Sequence, residues 1–257
     1  MHGSWTTVER ARDPARPRPP RFVTALVRDF VELHGDRVAV DDPGVLAGVG
    51  TCEGHRAVIL AQRHGAQGVG AGGLRKAVRM LRLAERFDLP LITFVDDAGL
   101  HRTDGGHGAL WPAVGATLEA FLGARVPLVA VLCGEGVSGV AVALSVCDRL
   151  IVLEHAYIAP VSPEGAAAIL WRDPARAADA AALMGLGAQT LMELGLGSRV
   201  VLEPGAGLTD VPALLAATGA ALREELALCA ASVGDHAGRR RERYRALPRL
   251  PTPGGTR

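Results

Sequence analysis

The chain reads as an α/β protein of one domain, and three observations carry that reading. Helical, extended and Gly-rich segments alternate along it. Two runs, LPLITFVDD over 89–97 and VPLVAVLC over 126–133, are almost wholly apolar, as strands covered on both faces are. Just before the first, Leu74, Ala77, Val78, Leu81 and Ala84 recur at helical spacing up to Phe87.

Composition narrows the function classes. The 257 residues are 49% hydrophobic, enough to bury one sizeable core. Lys+Arg 28 against Asp+Glu 27 leaves +1, so no global field draws nucleic acid. No run reaches the length and apolarity of a membrane span, and the Arg/Pro-rich start lacks the apolar region of a secretory signal. Cys52, Cys133, Cys147 and Cys229 are scattered. That spacing argues against a disulfide framework and a Cys-rich zinc site, and for a reducing cytoplasm.

In order, residues 1–21 are expected as a flexible arm carrying Arg10, Arg12, Arg16 and Arg18 among prolines. The domain is expected over 22–247, with a flexible tail over 248–257. Phe22, Ala25, Leu26, Phe30 and Leu33 predict a helix stopped at Gly35-Asp36. Val45–Val49 and Arg56–Ala61 predict two strands turning at Glu53-Gly54. A Gly-rich stretch, 65–73, leads into the amphipathic helix. A polar loop over 97–110 and a helix at about 112–124 separate the two apolar strands. The second strand runs into GEGVSG and an apolar helix over 139–146. Further strands lie in DRLIVLEHAYIAPVS, helices over 164–195, and a last helical region runs to about Leu247.

Four constellations bear on chemistry. Gly68, Gly70 and Gly73 match a dinucleotide fingerprint in letters, but six residues separate them from the strand end, where a tight turn is needed. Asp96-Asp97-Ala98-Gly99 closes a buried strand, where open α/β folds place sites; an Asp capping the next turn is the plain alternative. At Cys133 to Val140 a strand turns into a helix, and backbone N–H groups there suit a developing oxyanion. Ser138 sits as in a nucleophile elbow, but Val140 breaks G-x-S-x-G. Ser162-Pro163-Glu164 reads as a helix start: cap, first-position proline and first-turn acid. Arg239, Arg240, Arg241, Arg243 and Arg245 form a charge run, read as a solvated face in preference to a phosphate site.

On these residues the sequence resembles the α subunit of the acetyl-CoA carboxylase carboxyltransferase. The matching stretches are ELHGDRVAVDDPGVLAGVG (32–50), LRKAVRMLRLAERFDLPLITFVDDAG (74–99), VPLVAVLCGEGVSGVAVAL (126–144), SPEGAAAILW (162–171) and GRRRERYRAL (238–247). The resemblance implies a crotonase-like fold of the ClpP/crotonase type, a spiral of ββα units with a C-terminal helical region. It implies transfer of a carboxyl group between biotin N1 and the α-carbon of an acyl-CoA, through a ureido oxyanion and an enolate. The implied donors are the amides of Gly99, Leu100, Gly139 and Val140, with Gly136, Val137, Ser162 and Glu164 as cofactor-binding residues. The implied partners are a β-like subunit bearing the zinc ribbon and a biotin carboxyl carrier protein, in a hetero-oligomer such as α2β2, with no metal on this chain. A biotin-free acyl-thioester reaction, such as a decarboxylation, and a non-catalytic partner role are the alternatives.

The chain departs from the family pattern around that site. Val137 and Val140 stand where the family has glycines, Asp97-Ala98 where it has Thr-Pro, and Gly106 to Leu110 replaces an E-R-G-Q segment. The loop before Leu74 is trimmed as well. A valine keeps its amide available only at negative φ, and its side chain is expected to narrow the approach of a flat ring.

Overall fold

A computed structural model describes residues 3–38, 41–63, 68–99, 107–204, 210–232 and 234–247. Helices α1 (Ser4–Arg12) and α2 (Pro19–Leu26) lead into strand β1 (Val27–Glu32). Strands β2 (Val45–Cys52) and β3 (His55–Gln62) form a hairpin, closed by Glu53 and Gly54, both at positive φ as a two-residue turn requires. Helix α3 (Ala71–Phe87) crosses to β4 (Leu91–Asp97), and α4 (His107–Leu122) to β5 (Leu128–Val137). Beyond them lie α5 (Gly139–Leu144), β6 (Arg149–Leu153), β7 (Tyr157–Ala159), α6 (Pro163–Trp171), α7 (Ala177–Met184) and α8 (Ala188–Glu193). Strand β8 (Arg199–Val201), α9 (Val211–Ala231) and α10 (His236–Arg245) complete the described chain.

One sheet runs β1-β2-β3-β4-β5-β6-β8, antiparallel through β3 and parallel beyond it. Every residue of β4 and β5 is buried, which explains their unbroken apolar runs. Strand β5 serves two neighbours. Its first half, Val129–Leu132, pairs with β6, and its last residues, Glu135–Val137, pair with β7. The strand therefore does not turn at Cys133, as expected; it carries Gly134 to Val137 onward, and the turn falls at Ser138. Gly134 permits this course, since a Cβ there would stand 2.6 Å from Asp96 Oδ1.

Two further expectations are corrected. The segment from Phe22 to Leu33 is not one helix: α2 ends at Leu26 and β1 follows as a half-exposed edge strand, bulged between Arg28 and Val31. Residues 4–20 are not a loose arm. Val8 and Ala11 are fully buried, and Arg16 is almost so. The charge run is structural in part as well: Arg240 is buried, bonding the carbonyls of Phe121, Ala124 and Val126 and the Asp148 carboxylate. All four cysteines are free and buried, and burial pushes the Cys52 and Cys229 thiols up to about 12. Among the described residues no helix is long and apolar enough to cross a membrane.

Candidate functional site

The site forms where β4 and β5 end side by side. Asp97, the last residue of β4, is 5% exposed and accepts from two directions. The Gly99 N–H donates to its Oδ1 at 2.9 Å, and the Ser138 hydroxyl to its Oδ2 at 3.2 Å. The Gln62 amide lies 3.4 Å from that same Oδ2. Gly99 adopts φ +81, and a Cβ on it would meet Val137 Cγ1 at 3.0 Å, so the turn after β4 lies directly on the last residue of β5. The two turns singled out in the sequence are therefore one locus.

Ser138 is the cap of α5, and its Oγ accepts the Val140 N–H at 3.2 Å. Its backbone sits at φ 108, ψ 167, a region that glycine tolerates and serine occupies only when held. The hydroxyl is bonded to a carboxylate and an amide, and among the described residues no imidazole meets it to activate it for attack. The Gly139 N–H takes no partner among the described residues. Beside it lies Trp111 of α4, whose ring a Cβ on Gly139 would approach to 3.2 Å and which is 57% exposed.

The valine departures meet the backbone condition set for them. Among the described residues the non-Gly positions at positive φ include neither Val137 nor Val140. Val140 is fully buried in the main core, and Val137 packs with Val8, Ala11 and Tyr157. Val140 points into the core, whereas Val137 Cγ1 also lies against the turn after β4, 3.0 Å from where a Cβ on Gly99 would stand. Leu100, the fourth expected donor, lies outside the described residues, as do 101–106.

The remaining expected residues are placed as structure. Gly136 and Val137 pair with Ile158 and Ala159. Ser162 caps α6 through the Gly165 N–H at 3.1 Å. Both oxygens of Glu164 are taken by Arg12, at 2.6 and 3.1 Å, and that bond holds the Glu164 carboxyl below the usual range. Arg12 also donates to Glu135 Oε1 at 2.8 Å, which receives the Tyr157 hydroxyl at 2.5 Å. Thus the α6 start is fastened to the end of β5.

Sequence reasoning missed the N-terminal arginines as site supports. Arg18 pairs with Asp96 at 2.9 Å, while Asp96 Oδ1 accepts the Glu135 N–H. Arg16 meets Glu203 and the Cys133 carbonyl, and Arg10 meets His155. The signal available was four arginines at short spacing, of which Arg10 and Arg12 lie on α1 and Arg16 and Arg18 in the turn before α2. The acidic partners of Arg12, Arg16 and Arg18 lie far along the chain.

The Gly-rich motif before α3 is filled from within. Asp42 Oδ2 accepts the N–H groups of Gly70 and Gly73, both at 2.9 Å, where a pyrophosphate would have to bind. Among the described residues no group of three or more His, Cys, Asp or Glu is placed to hold a metal. A cleft of about 560 Å³ opens at the other end of the strands, between His55, Arg56, Pro90, Pro127, Cys229 and His236. It touches none of the strand-end groups above.

This arrangement defines a class: a crotonase-like α/β scaffold in which the turns that end β4 and β5 meet at one place. Solved structures share the fold. One is transcarboxylase 12S with methylmalonyl-coenzyme A bound (TM-score 0.68, 18% identity, 84% of this chain, 42% of that one). Another is a Pseudomonas malonate decarboxylase hetero-dimer (TM-score 0.63, 22% identity, 80% of this chain and 89% of that one). The sequence narrows the class. The acetyl co-enzyme A carboxylase carboxyltransferase-like family model matches residues 2–248. The chain is 40% identical, over 96% of its length, to 81% of the acetyl-coenzyme A carboxylase carboxyl transferase subunit alpha of Caulobacter vibrioides. It is also 41% identical, over 84% of its length, to 37% of a chain in Parafrankia that carries subunits beta/alpha together. The protein belongs to that carboxyltransferase family.

Proposed function

We propose that this chain is the α-like subunit of an acyl-CoA carboxyltransferase, moving a carboxyl group between biotin and the α-carbon of an acyl-CoA, of the acetyl-CoA to malonyl-CoA type. It works with a β-like, zinc-ribbon subunit and a biotin carboxyl carrier protein, in a cytoplasmic hetero-oligomer such as α2β2. The observation that carries the reading is the bond between Asp97 and Ser138, which joins the two amide-bearing turns in one place. Biotin, when delivered, supplies the carboxyl group. The Gly139 amide beside the exposed Trp111 ring suits it: a neutral donor and an apolar wall match an uncharged cyclic urea.

The roles of the chain's residues follow from their placement. Gly139 offers a fixed N–H dipole where negative charge develops, with no titrating group involved. Gly99, Leu100 and Val140 are the remaining proposed donors. Val140 anchors the start of α5 in the core, and the Trp111 ring lies beside Gly139 as an apolar wall. Gly136 and Val137 shape the floor, while Ser162 and Glu164 hold α6 against it.

One observation favours a second reading, a biotin-free acyl-thioester reaction or a non-catalytic partner: the Gly99 amide is already engaged by the Asp97 carboxylate. Co-expression with β-like subunits and a malonyl-CoA decarboxylation assay separates them. Turnover needing both chains and free biotin supports the first reading. Biotin-independent turnover supports the second enzyme. Robust turnover by the isolated chain overturns the subunit assignment.

A further inference from the structure

The Asp97 carboxylate collects bonds from elements that are far apart in sequence. It receives Gly99 N–H from its own turn and Ser138 O–H across 41 residues. Ser138 has a single hydroxyl proton. Once that proton points at Asp97, only lone pairs remain, and the Val140 N–H donates into them at 3.2 Å. One carboxylate thus sets the polarity of the whole network. Its neighbour Asp96 does something else: it pairs with Arg18 and accepts the Glu135 N–H. Ser138 also holds a backbone conformation that needs an external restraint, and the Asp97 bond falls on that residue.

We infer that Asp97 is a positioning residue, an internal anion that occupies the Gly99 amide and, by taking the Ser138 proton, makes that hydroxyl cap Val140, leaving Gly139 as the open donor between them. Two of the expected oxyanion donors are therefore held by the chain's own carboxylate and hydroxyl, in the arrangement an external oxyanion would otherwise impose. What the turn is for rests on the carboxyltransferase reading; the bonding role does not. Among the described donors this device leaves the Gly139 amide open, and the Gly99 and Val140 amides reach a ligand only by giving up these internal bonds.

The test uses the full-length chain alone and reads amide hydrogen exchange by NMR, with formate as the probe. In Asp97→Gly the Gly99 and Val140 amides should exchange faster together, by about tenfold or more. Amides of Leu60 and Val129, in the central strands, should stay as in wild type. Formate, a carboxylate small enough for the space left, should restore protection at both amides, and chloride at equal ionic strength should not. Asp97→Asn, close in shape, keeps the variant folded should Asp97→Gly fail. Its oxygen retains Gly99 protection, while its NH2 donates to Ser138 Oγ in place of accepting from it, which turns the hydroxyl proton toward the Val140 side and lowers Val140 protection. Unchanged Val140 exchange in Asp97→Asn, or no formate rescue in a folded Asp97→Gly, overturns the inference. A chain inactive with every β-like partner would overturn the proposed function and leave these exchange results standing.

Discussion

Arg16 and Glu203, 187 residues apart, form a two-pronged ion pair, at 2.5 and 2.9 Å, from which solvent is excluded. Arg16 Nε also donates to the Cys133 carbonyl, one residue before GEG. The pair ties the N-terminal segment to the chain just after β8 and to the strand that carries the site. Removing one member leaves a buried, uncompensated charge, which costs about 3–5 kcal/mol. Arg16→Met should lower the unfolding free energy by that amount in urea titration. A loose arm would instead give a change within about 0.5 kcal/mol.

Glu164 gives the structure a pH signature. The hydrogen bond from Arg12 holds its carboxyl below the ordinary value. A depressed folded-state pKa means that the unfolded state binds more protons as pH falls, so this contribution is complete above the usual carboxylate range and is lost as pH drops through the folded value. The carboxylate is 39% exposed, which keeps the contribution modest. The melting-temperature gap between wild type and Glu164→Gln should be widest at neutral pH and close in acid. A gap that ignores pH contradicts the Arg12 bond.

Asp42 answers the Gly-rich motif. Because it caps the Gly70 and Gly73 amides, NAD(P)H titration followed by fluorescence should show no saturable binding at micromolar concentration. Asp42→Ala should cost about 1–2 kcal/mol through the lost cap. A saturable signal abolished by Gly70→Val would contradict this.

Much of the scaffold was legible because burial leaves local marks. Strands β4 and β5 read as apolar runs since neighbours cover both faces, and α3 reads as a helix since one stripe packs inward. Strand β1 was hidden: Phe22, Leu26, Phe30 and Leu33 imitate a helical period across a helix–strand junction. The N-terminal arginines read as solvated since their partners, Glu135, Glu164, Glu203 and Asp96, are brought to them only by the fold. At the site, glycines marked the turns. The Asp97 cap on Gly99 falls within the turn that the sequence offered, whereas the Ser138–Asp97 bond that joins the two turns spans 41 residues and no sequence window reaches it.

The most direct test of the central claim, that a backbone amide at the start of α5 carries the chemistry, is turnover in the complex with a β-like subunit. Gly139 is the first residue of α5, a position that accommodates proline, so Gly139→Pro removes the N–H while the helix persists. Losing one such donor costs about 3–4 kcal/mol of transition-state stabilisation. Gly139→Pro should therefore abolish biotin-dependent malonyl-CoA decarboxylation, with the complex still assembled. Ser138→Ala, which removes the Asp97 bond and the Val140 cap but none of the proposed amide donors, should keep turnover within about tenfold, roughly 1.4 kcal/mol. Turnover lost in an assembled Ser138→Ala complex and retained in Gly139→Pro would contradict the account.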